Sequence, residues 1–136
     1  MAEAFKESAM RHWNDASLLE RNGRRVNANQ LYGFAAECAI KTALCQLPGF
    51  AQDGELNKYY RAHINELWGK VHLQQLQKRF STLIAVLKQP NPFHDWSVDN
   101  RYAAKETLSE EAFNRHRDMA RRLLGIAGLT GARQGN

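Results

Sequence analysis

Residues Leu31 to Cys45 read Leu-Tyr-Gly-Phe-Ala-Ala-Glu-Cys-Ala-Ile-Lys-Thr-Ala-Leu-Cys, and this stretch decides the fold of the 136-residue chain. Apolar side chains recur along it at helical spacing on two adjacent faces, one led by Leu31 and Phe34, the other by Tyr32 and Ala36. A helix that is apolar nearly all round must be covered on several sides. The stretch therefore predicts the central and most buried helix of a bundle.

Glu37 and Lys41 carry the two charges of this stretch, four residues apart and in the order that favours a helical ion pair. A carboxylate among apolar residues needs a partner, because an unpaired buried charge is strongly destabilising. Lys41 is one candidate, but we expect it to extend its stem and leave its ammonium in water. We therefore predict that Glu37 contacts Arg101, with Tyr102 and His63 completing its hydrogen bonds.

The rest of the chain supplies helices that can surround this one. Apolar spacing and end signals predict a first helix at about 2–21, a short helix at 63–68, a helix carrying Leu73 to Leu87, and a last helix that starts at the capping box Thr107-Leu-Ser-Glu110. Residues 51–58 read as a surface loop, and no segment alternates as a strand would. We predict an all-α, up-and-down bundle of four to five helices in one domain over residues 1–129, followed by a disordered tail at 130–136.

A long irregular stretch, Gln89 to Asn100, carries several large side chains. Such a loop in a compact domain is usually functional or folded back over the core. We predict that Trp96 docks on the core together with Tyr102, and that Asp95 anchors the loop. An acid–base role for Asp95 with His94 is the alternative.

Composition narrows the classes of partner. The net charge of +5 allows contact with an acidic partner such as nucleic acid, although the basic residues are spread thinly and a solvated surface explains them equally. No run approaches the roughly 18 apolar residues of a membrane helix, and the first residues lack the apolar region of a signal peptide. We expect a cytoplasmic protein that does not contact a membrane.

The two cysteines, Cys38 and Cys45, lie seven residues apart on the central helix. Their Cα atoms are then about 10 Å apart, too far for a disulfide bond. Zinc needs about four converging ligands, and no such spacing is present. We expect two buried thiols, and we predict neither a metal site nor a cofactor.

Three sequence features, which follow one another along the chain, resemble those of the HEPN domains. These domains are helical bundles associated with nucleotides or RNA. The three features are the run Asn-Ala-Asn-Gln-Leu-Tyr-Gly-Phe-Ala-Ala-Glu-Cys-Ala-Ile-Lys over 27–41, the segment His63-x-x-x-Leu67, and the late Trp96…Arg101-Tyr102. The resemblance spans most of the chain. It implies an up-down bundle, a homodimer, and a role in toxin–antitoxin or anti-phage defence systems. Some members of the family pair with a nucleotidyltransferase-like protein.

Catalytic HEPN domains are metal-independent ribonucleases with an Arg followed by four to six residues and a His. None of the five histidines of this chain has an Arg at that distance before it. Before the last helix, Arg101-Tyr-Ala-Ala-Lys-Glu106 places Glu where the His would stand. A carboxylate does not simply replace an imidazole that moves protons near neutral pH.

Together these features predict a non-catalytic or atypical HEPN-like protein that acts with a partner protein, RNA or a nucleotide. Its candidate site is a polar cluster of Glu37, Lys41, His63, Asp95, Trp96, Arg101 and Tyr102. One alternative is an unconventional metal-independent ribonuclease that uses Arg101 with His63 or His94. Another is a purely structural oligomerisation module.

Overall fold

The computed structural model describes residues 4–71, 73, 76, 80–102, 104 and 107–129, without the side chain of Arg101. Helices dominate these residues, and the predicted all-α class is confirmed. They are α1 (Phe5–Arg21), α2 (Arg25–Cys45), α3 (Ile64–Lys70), α4 (Ser81–Leu87) and α5 (Glu110–Ile126). Short 3-10 turns cover Lys58–Tyr60 and Val98–Tyr102. Across the described ranges, no helix is both long enough and apolar enough to cross a membrane.

Helix α2 is the central element, as predicted. Fifteen of its 21 residues are buried, against three of 17 in α1 and six of 17 in α5. Helix α1 runs antiparallel to it, because Phe5 lies over Lys41 while Ser17 reaches back to Tyr32. Alanines on α2 let its neighbours approach closely, and the fully buried ones include Ala28, Ala35 and Ala36.

Helix α5 covers a second side of α2 and runs in the same direction. Arg25 near the start of α2 lies 3.9 Å from Glu110 at the start of α5. A partly buried hydrogen-bond chain joins all three helices: the Tyr32 hydroxyl donates to Glu20 at 2.7 Å, and Glu20 accepts from Arg117 at 2.8 Å. Burial raises the pKa of Tyr32 to about 12, so its hydroxyl remains a donor at neutral pH.

Trp96 brings the long loop after α4 back onto α2. It is fully buried, and its indole Nε1 donates to the main-chain oxygen of Asn29 at 3.1 Å. The indole lies directly on Gly33, where a Cβ would overlap it. Its ring also meets Phe34 edge-on, with 5.4 Å between the centroids. The prediction that Trp96 docks on the core is confirmed.

Tyr102 does not dock with it. Its side chain is 78% exposed, so that prediction is wrong. The chain from Val98 to Tyr102 forms a 3-10 turn, in which about three residues complete one revolution. Val98 packs against the core, and Tyr102, four residues later, faces away from it.

Residues 51–58 were expected to form a loop, but they include a short hairpin. Strand β1 (Ala51–Gln52) pairs antiparallel with β2 (Glu55–Leu56). The two turn residues, Asp53 and Gly54, have φ of 53° and 80°. The two-residue hairpin turn of type I′ needs positive φ at both central positions, and Asp-Gly is among the sequences that adopt it most readily. The expectation that the protein contains no β-sheet is therefore wrong.

The helix predicted from Leu73 to Leu87 is shorter than expected. Helix α4 begins at Ser81. Before it, Leu73 and Phe80 have 3-10 geometry and Leu76 lies in a bend. Residues 72, 74, 75 and 77–79 lie outside the described residues. The inward spacing nevertheless holds, because Leu76, Phe80, Leu83 and Leu87 are buried. Apolar spacing correctly identified the residues that face the core. It did not show that these residues lie on one helix, because residues in turns and bends can also face the core.

Two further expectations at helix ends need correction. Helix α5 begins at Glu110 and is capped by Ser109, whose Oγ accepts from the backbone N–H of Ala112 at 3.0 Å. The expected cap, Thr107, instead donates its hydroxyl to the carbonyl of Ala104 at 2.7 Å. Cys38 is buried as expected, but Cys45 is exposed because it is the last residue of α2.

The contact between Gly33 and Trp96 predicts the effect of adding a single methyl group. Gly33→Ala should lower the free energy of unfolding by about 1–3 kcal/mol, because the indole must move and lose its hydrogen bond. Gly69→Ala is a matched control, since it also lies in a helix and a Cβ there meets nothing within 4 Å. Gly69→Ala should be neutral or stabilising by up to about 1 kcal/mol. Urea titrations of both variants measure the difference, and equal stabilities would refute the close packing of Trp96.

Candidate functional site

Glu37 and Lys41 form a buried ion pair on α2. The Lys41 ammonium lies 3.0 Å from Oε2 of Glu37, and the Phe5 ring lies over it with 5.6 Å from Nζ to the centroid. The expectation that Lys41 leaves its ammonium in water is wrong, because the first turn of α1 covers that position. Removing either member alone would destabilise the fold, since the other would remain as an uncompensated buried charge.

His63 is the second partner of the Glu37 carboxylate. It occupies the N-cap position of α3, and its Nδ1 lies 3.0 Å from Oε1 of Glu37. The side chain is 49% exposed, so the imidazole is fixed at one edge and open to solvent at another. A neutral imidazole that donates from Nδ1 to Glu37 keeps Nε2 as an acceptor.

Aromatic rings frame this cluster. Phe34 lies between His12 and His63, with ring centroids 5.7 and 5.8 Å away, and the His63 and Trp96 centroids are 6.2 Å apart. Burial, with a smaller effect of Arg11, lowers the pKa of His12. Glu37, Lys41, His63 and Trp96 are thus brought together, with Trp96 taking part through packing rather than through a hydrogen bond to the carboxylate.

The predicted contact between Glu37 and Arg101 stays a prediction, because the Arg101 side chain lies outside the described residues. Among those that are described, Lys41 and His63 bond the two oxygens of Glu37, and Tyr102 lies at the surface. The partners found belong to α2 itself and to the start of α3.

Asp95 belongs to a second cluster, on the other side of Trp96. Its two oxygens accept from the guanidinium of Arg115 at 2.8 and 3.0 Å, and Oδ1 also lies 2.8 Å from Nε2 of His116. Arg115 further donates to the carbonyl of Pro92 at 2.7 Å. The hydrogen bonds from Arg115 hold the pKa of Asp95 well below its usual range. Through them the loop is tied to α5.

His116 is the buried member of this second cluster, only 1% exposed. Its Nδ1 lies 2.8 Å from Oδ1 of Asn29, and its ring stacks on Phe93 at 5.4 Å between centroids. Burial lowers the pKa of His116, against the opposing effect of Asp95. Nothing in the sequence paired His116 with Asn29 or Asp95, because the three residues lie in separate segments.

These contacts limit the chemistry of the second cluster. Both ring nitrogens of His116 and both oxygens of Asp95 are already bonded, so neither is free to take a proton from a substrate. Among the residues that the structure describes, no group of three His, Cys, Asp or Glu could hold a metal ion. The second cluster therefore holds its own side chains in fixed orientations. In the first cluster, by contrast, the imidazole of His63 faces solvent.

A pocket of about 200 Å³ opens beside the second cluster, between α2 and the start of α5. Its wall combines hydrogen-bonding and apolar side chains: Val26, Asn29, Asp95, Asn100, Ala104, Thr107, Leu108, Ser109, Ala112 and His116. Of these, sequence reasoning singled out Asp95 for the site. The others come from separate segments, and only folding places them together.

A basic and aromatic surface lies beside His63, and sequence reasoning missed it as well. The Lys58–His63 surface consists of Lys58, Tyr59, Arg61 and His63 together with Lys70. Tyr59 is 54% exposed, and the Lys70 ammonium lies 4.6 Å from its ring centroid. Lys58 and Arg61 are also exposed. The run Lys-Tyr-Tyr-Arg at 58–61 was a signal, because cations interleaved with aromatic residues are typical of nucleic-acid contacts.

In comparisons with known proteins, no protein-family model, no curated protein and no solved structure matches this chain. The resemblance to HEPN domains therefore rests on the three sequence features given above.

The buried ion pair predicts a large energetic coupling. Glu37→Gln should lower the free energy of unfolding by about 3–5 kcal/mol, because it leaves the Lys41 ammonium buried without its counter-charge. The double variant with Lys41→Met should lose less than the sum of the two single variants, by about 1 kcal/mol or more. Urea titration of the four proteins measures this coupling. Asp118→Asn is the control: its exposed carboxylate pairs with Arg117 at 3.0 Å and with Arg121 at 3.8 Å, and its loss should change stability by less than about 1 kcal/mol. Strict additivity of the Glu37 and Lys41 changes would contradict the pairing.

The buried imidazole of His116 and the partly buried imidazole of His12 predict a loss of stability in mild acid. Burial lowers the pKa of His116 and His12 below the ordinary 6.5, so the unfolded chain takes up protons at a higher pH than the folded one. Stability should therefore be full above about pH 7 and fall as the pH drops through and below 6.5. A second loss should begin below about 3.8, where Asp95 gains a proton in the unfolded chain first. Thermal unfolding between pH 8 and 3 measures both losses. His12→Gln should retain the part due to His116, and a flat profile in that variant would contradict burial of a neutral His116.

Proposed function

We propose that this chain is a non-catalytic HEPN-like protein that binds single-stranded RNA through the Lys58–His63 surface. We further propose that it works with a partner protein in a toxin–antitoxin or defence-type system. The observation that carries the RNA proposal is the exposed Tyr59 ring, with Lys58, Arg61 and Lys70 around it. The HEPN bundle, the homodimer and a nucleotidyltransferase-like partner are what the sequence resemblance implies.

Single-stranded RNA suits this surface on physical grounds. An exposed aromatic ring offers a platform on which any base can stack, and nearby cations meet the phosphates. The side chain of Tyr59 is held in place by Lys70, whose ammonium also lies 3.4 Å from its main-chain oxygen. The net charge of +5 favours approach to a polyanion.

The burial, hydrogen bonds and sequence spacing of the histidines support RNA binding without cleavage. Cleavage of RNA without a metal needs a general base and a general acid that can reach the reacting oxygens. His116 is buried with both nitrogens bonded, and the Arg-to-His spacing of catalytic HEPN domains is missing from the sequence. The chain retains a bundle and a basic surface, which are sufficient for binding.

A second candidate, a metal-independent ribonuclease, is favoured by one observation. The Glu37 carboxylate orients the half-exposed His63 from 3.0 Å, and a base oriented by a carboxylate is the arrangement that many hydrolytic sites use. His63 is itself part of the Lys58–His63 surface, so RNA bound there would lie near its imidazole. Cleavage would then depend on His63.

The RNA proposal predicts the behaviour of single-residue variants. A fluorescent single-stranded oligouridylate should bind with an affinity that falls as salt rises, because cations are released from its phosphates. Tyr59→Ala should weaken binding about tenfold, the loss of one stacked base, and Arg61→Ala should reduce the salt dependence. Fluorescence anisotropy measures both. Tyr102→Ala, an exposed tyrosine elsewhere, and Lys88→Ala, an exposed lysine elsewhere, are matched controls and should bind as the unchanged protein does.

The same binding mixtures, prepared with EDTA, also distinguish the two candidate functions. Afterwards the RNA is run on a denaturing gel. Intact RNA with Tyr59-dependent binding supports the proposed function. Rapid cleavage that is lost in His63→Gln supports the ribonuclease instead. Binding that is insensitive to Tyr59 and Arg61 would refute this surface as the RNA site.

A further inference from the structure

The turn that joins α1 to α2 carries the dipeptide Asn22-Gly23, and both residues are exposed. We propose that Asn22 is a site of spontaneous deamidation, in which its side-chain amide becomes a carboxylate. We further propose that the last turn of α1 must open before the reaction can occur. The Lys58–His63 surface takes no part in this chemistry, so the modification and the proposed RNA binding can each hold without the other.

Deamidation joins the side chain of Asn22 to the main chain of Gly23. The backbone nitrogen of Gly23 attacks Cγ of Asn22 and loses its proton, a succinimide ring closes, and Nδ2 leaves with a proton as ammonia. Water then adds to either carbonyl of the ring, which opens to aspartate or to isoaspartate. Glycine favours the attack, because it has no Cβ to obstruct the approach and its backbone rotates freely.

The folded turn engages both reacting groups in other contacts. Nδ2 of Asn22 donates to the carbonyl of Leu18 at 2.8 Å, so the side chain points back along α1. The N–H of Gly23 donates to the carbonyl of Glu20 at 3.0 Å. Ring closure must break both hydrogen bonds and rotate ψ of Asn22 away from 14°. The closed turn therefore protects Asn22, and the reaction takes place when the turn opens.

Opening of this turn is a local event. The turn lies at the end of α1, and the hydrogen bond of the Asn22 side chain is exposed. Exposed hydrogen bonds at a helix end open at a much smaller free-energy cost than those of the core. Gly23 has φ of 76°, which glycine adopts without strain, so the turn does not depend on tertiary packing to keep it closed. Transient opening is sufficient for a slow and irreversible reaction.

Deamidation would weaken the turn in which it occurs. A carboxylate cannot donate to the carbonyl of Leu18, and it places a negative charge at the negative end of the α1 dipole. Isoaspartate also lengthens the main chain by one carbon atom. The N–H groups of Gly23 and Arg24 are then displaced from the carbonyls that they bond. The end of α1 would be released from its cap, and refolding would not reverse the change.

The experiment incubates the purified full chain at mildly alkaline pH, either folded or unfolded in urea, and maps its peptides by mass spectrometry. Asn22 should deamidate before Asn14 and Asn27, which are also exposed but lie within α1 and α2 and precede residues that have a side chain. Deamidation of Asn22 should be about tenfold slower or more in the folded chain, because only the open turn reacts.

Asn22→Asp produces one of the two products directly and tests its effect on the fold. This variant should lower the midpoint of thermal unfolding by about 3–6 °C, because the cap is lost and a charge is added at the helix end. Asn14→Asp is the matched control, since it adds the same charge at an exposed position in the middle of α1. It should shift the midpoint by less than about 2 °C.

Several outcomes would overturn the proposal. Deamidation of Asn14 or Asn27 before Asn22, or an Asn22 that reacts only in urea, would refute the site. Equal rates in the folded and unfolded chains would refute control by the turn. An Asn22→Asp variant as stable as Asn14→Asp would refute the weakening of α1. If Asn22→Asp does not fold, the rates measured on the unchanged chain still decide whether Asn22 is the site.

Discussion

The structure depends on one close packing contact, in which the Trp96 indole lies on Gly33 of α2. Only glycine leaves room for it, because a Cβ at position 33 would overlap the ring. The contact buries the largest side chain of the late loop, and its hydrogen bond to the main chain of Asn29 removes the cost of a buried indole N–H. The loop is thereby held against the middle of α2, where it reaches polar groups that come from four separate segments.

Trp96 also divides those polar groups into two sites of different character. On one side Glu37 is shared between Lys41 and His63, an ion pair under the first turn of α1 with an imidazole at its open edge. On the other side Asp95, Arg115, His116 and Asn29 form a chain in which nearly every polar atom is bonded. A satisfied chain of this kind is rigid, so it fixes the late loop against α2 and α5.

The two sites differ in what they offer to a partner. The first includes the half-exposed His63 and continues into a surface of exposed cations and an aromatic ring, which suits a flexible polyanion with stacking bases. In the second, the described polar groups bond one another and hold the late loop on α5.

The sequence by itself determined the helical class, the burial of α2 and the docking of Trp96, because apolar spacing and large side chains report directly on what must leave water. It also identified Glu37 and Lys41 as neighbours, since four residues along a helix is a local distance. It also predicted that His63 contacts Glu37, which the structure confirms. Only the tertiary structure decided that Asp95 joins Arg115 and His116, and that Asn29 completes their chain. Those partners lie 20 to 87 residues apart, and a polar side chain carries no local mark of which distant partner it will meet.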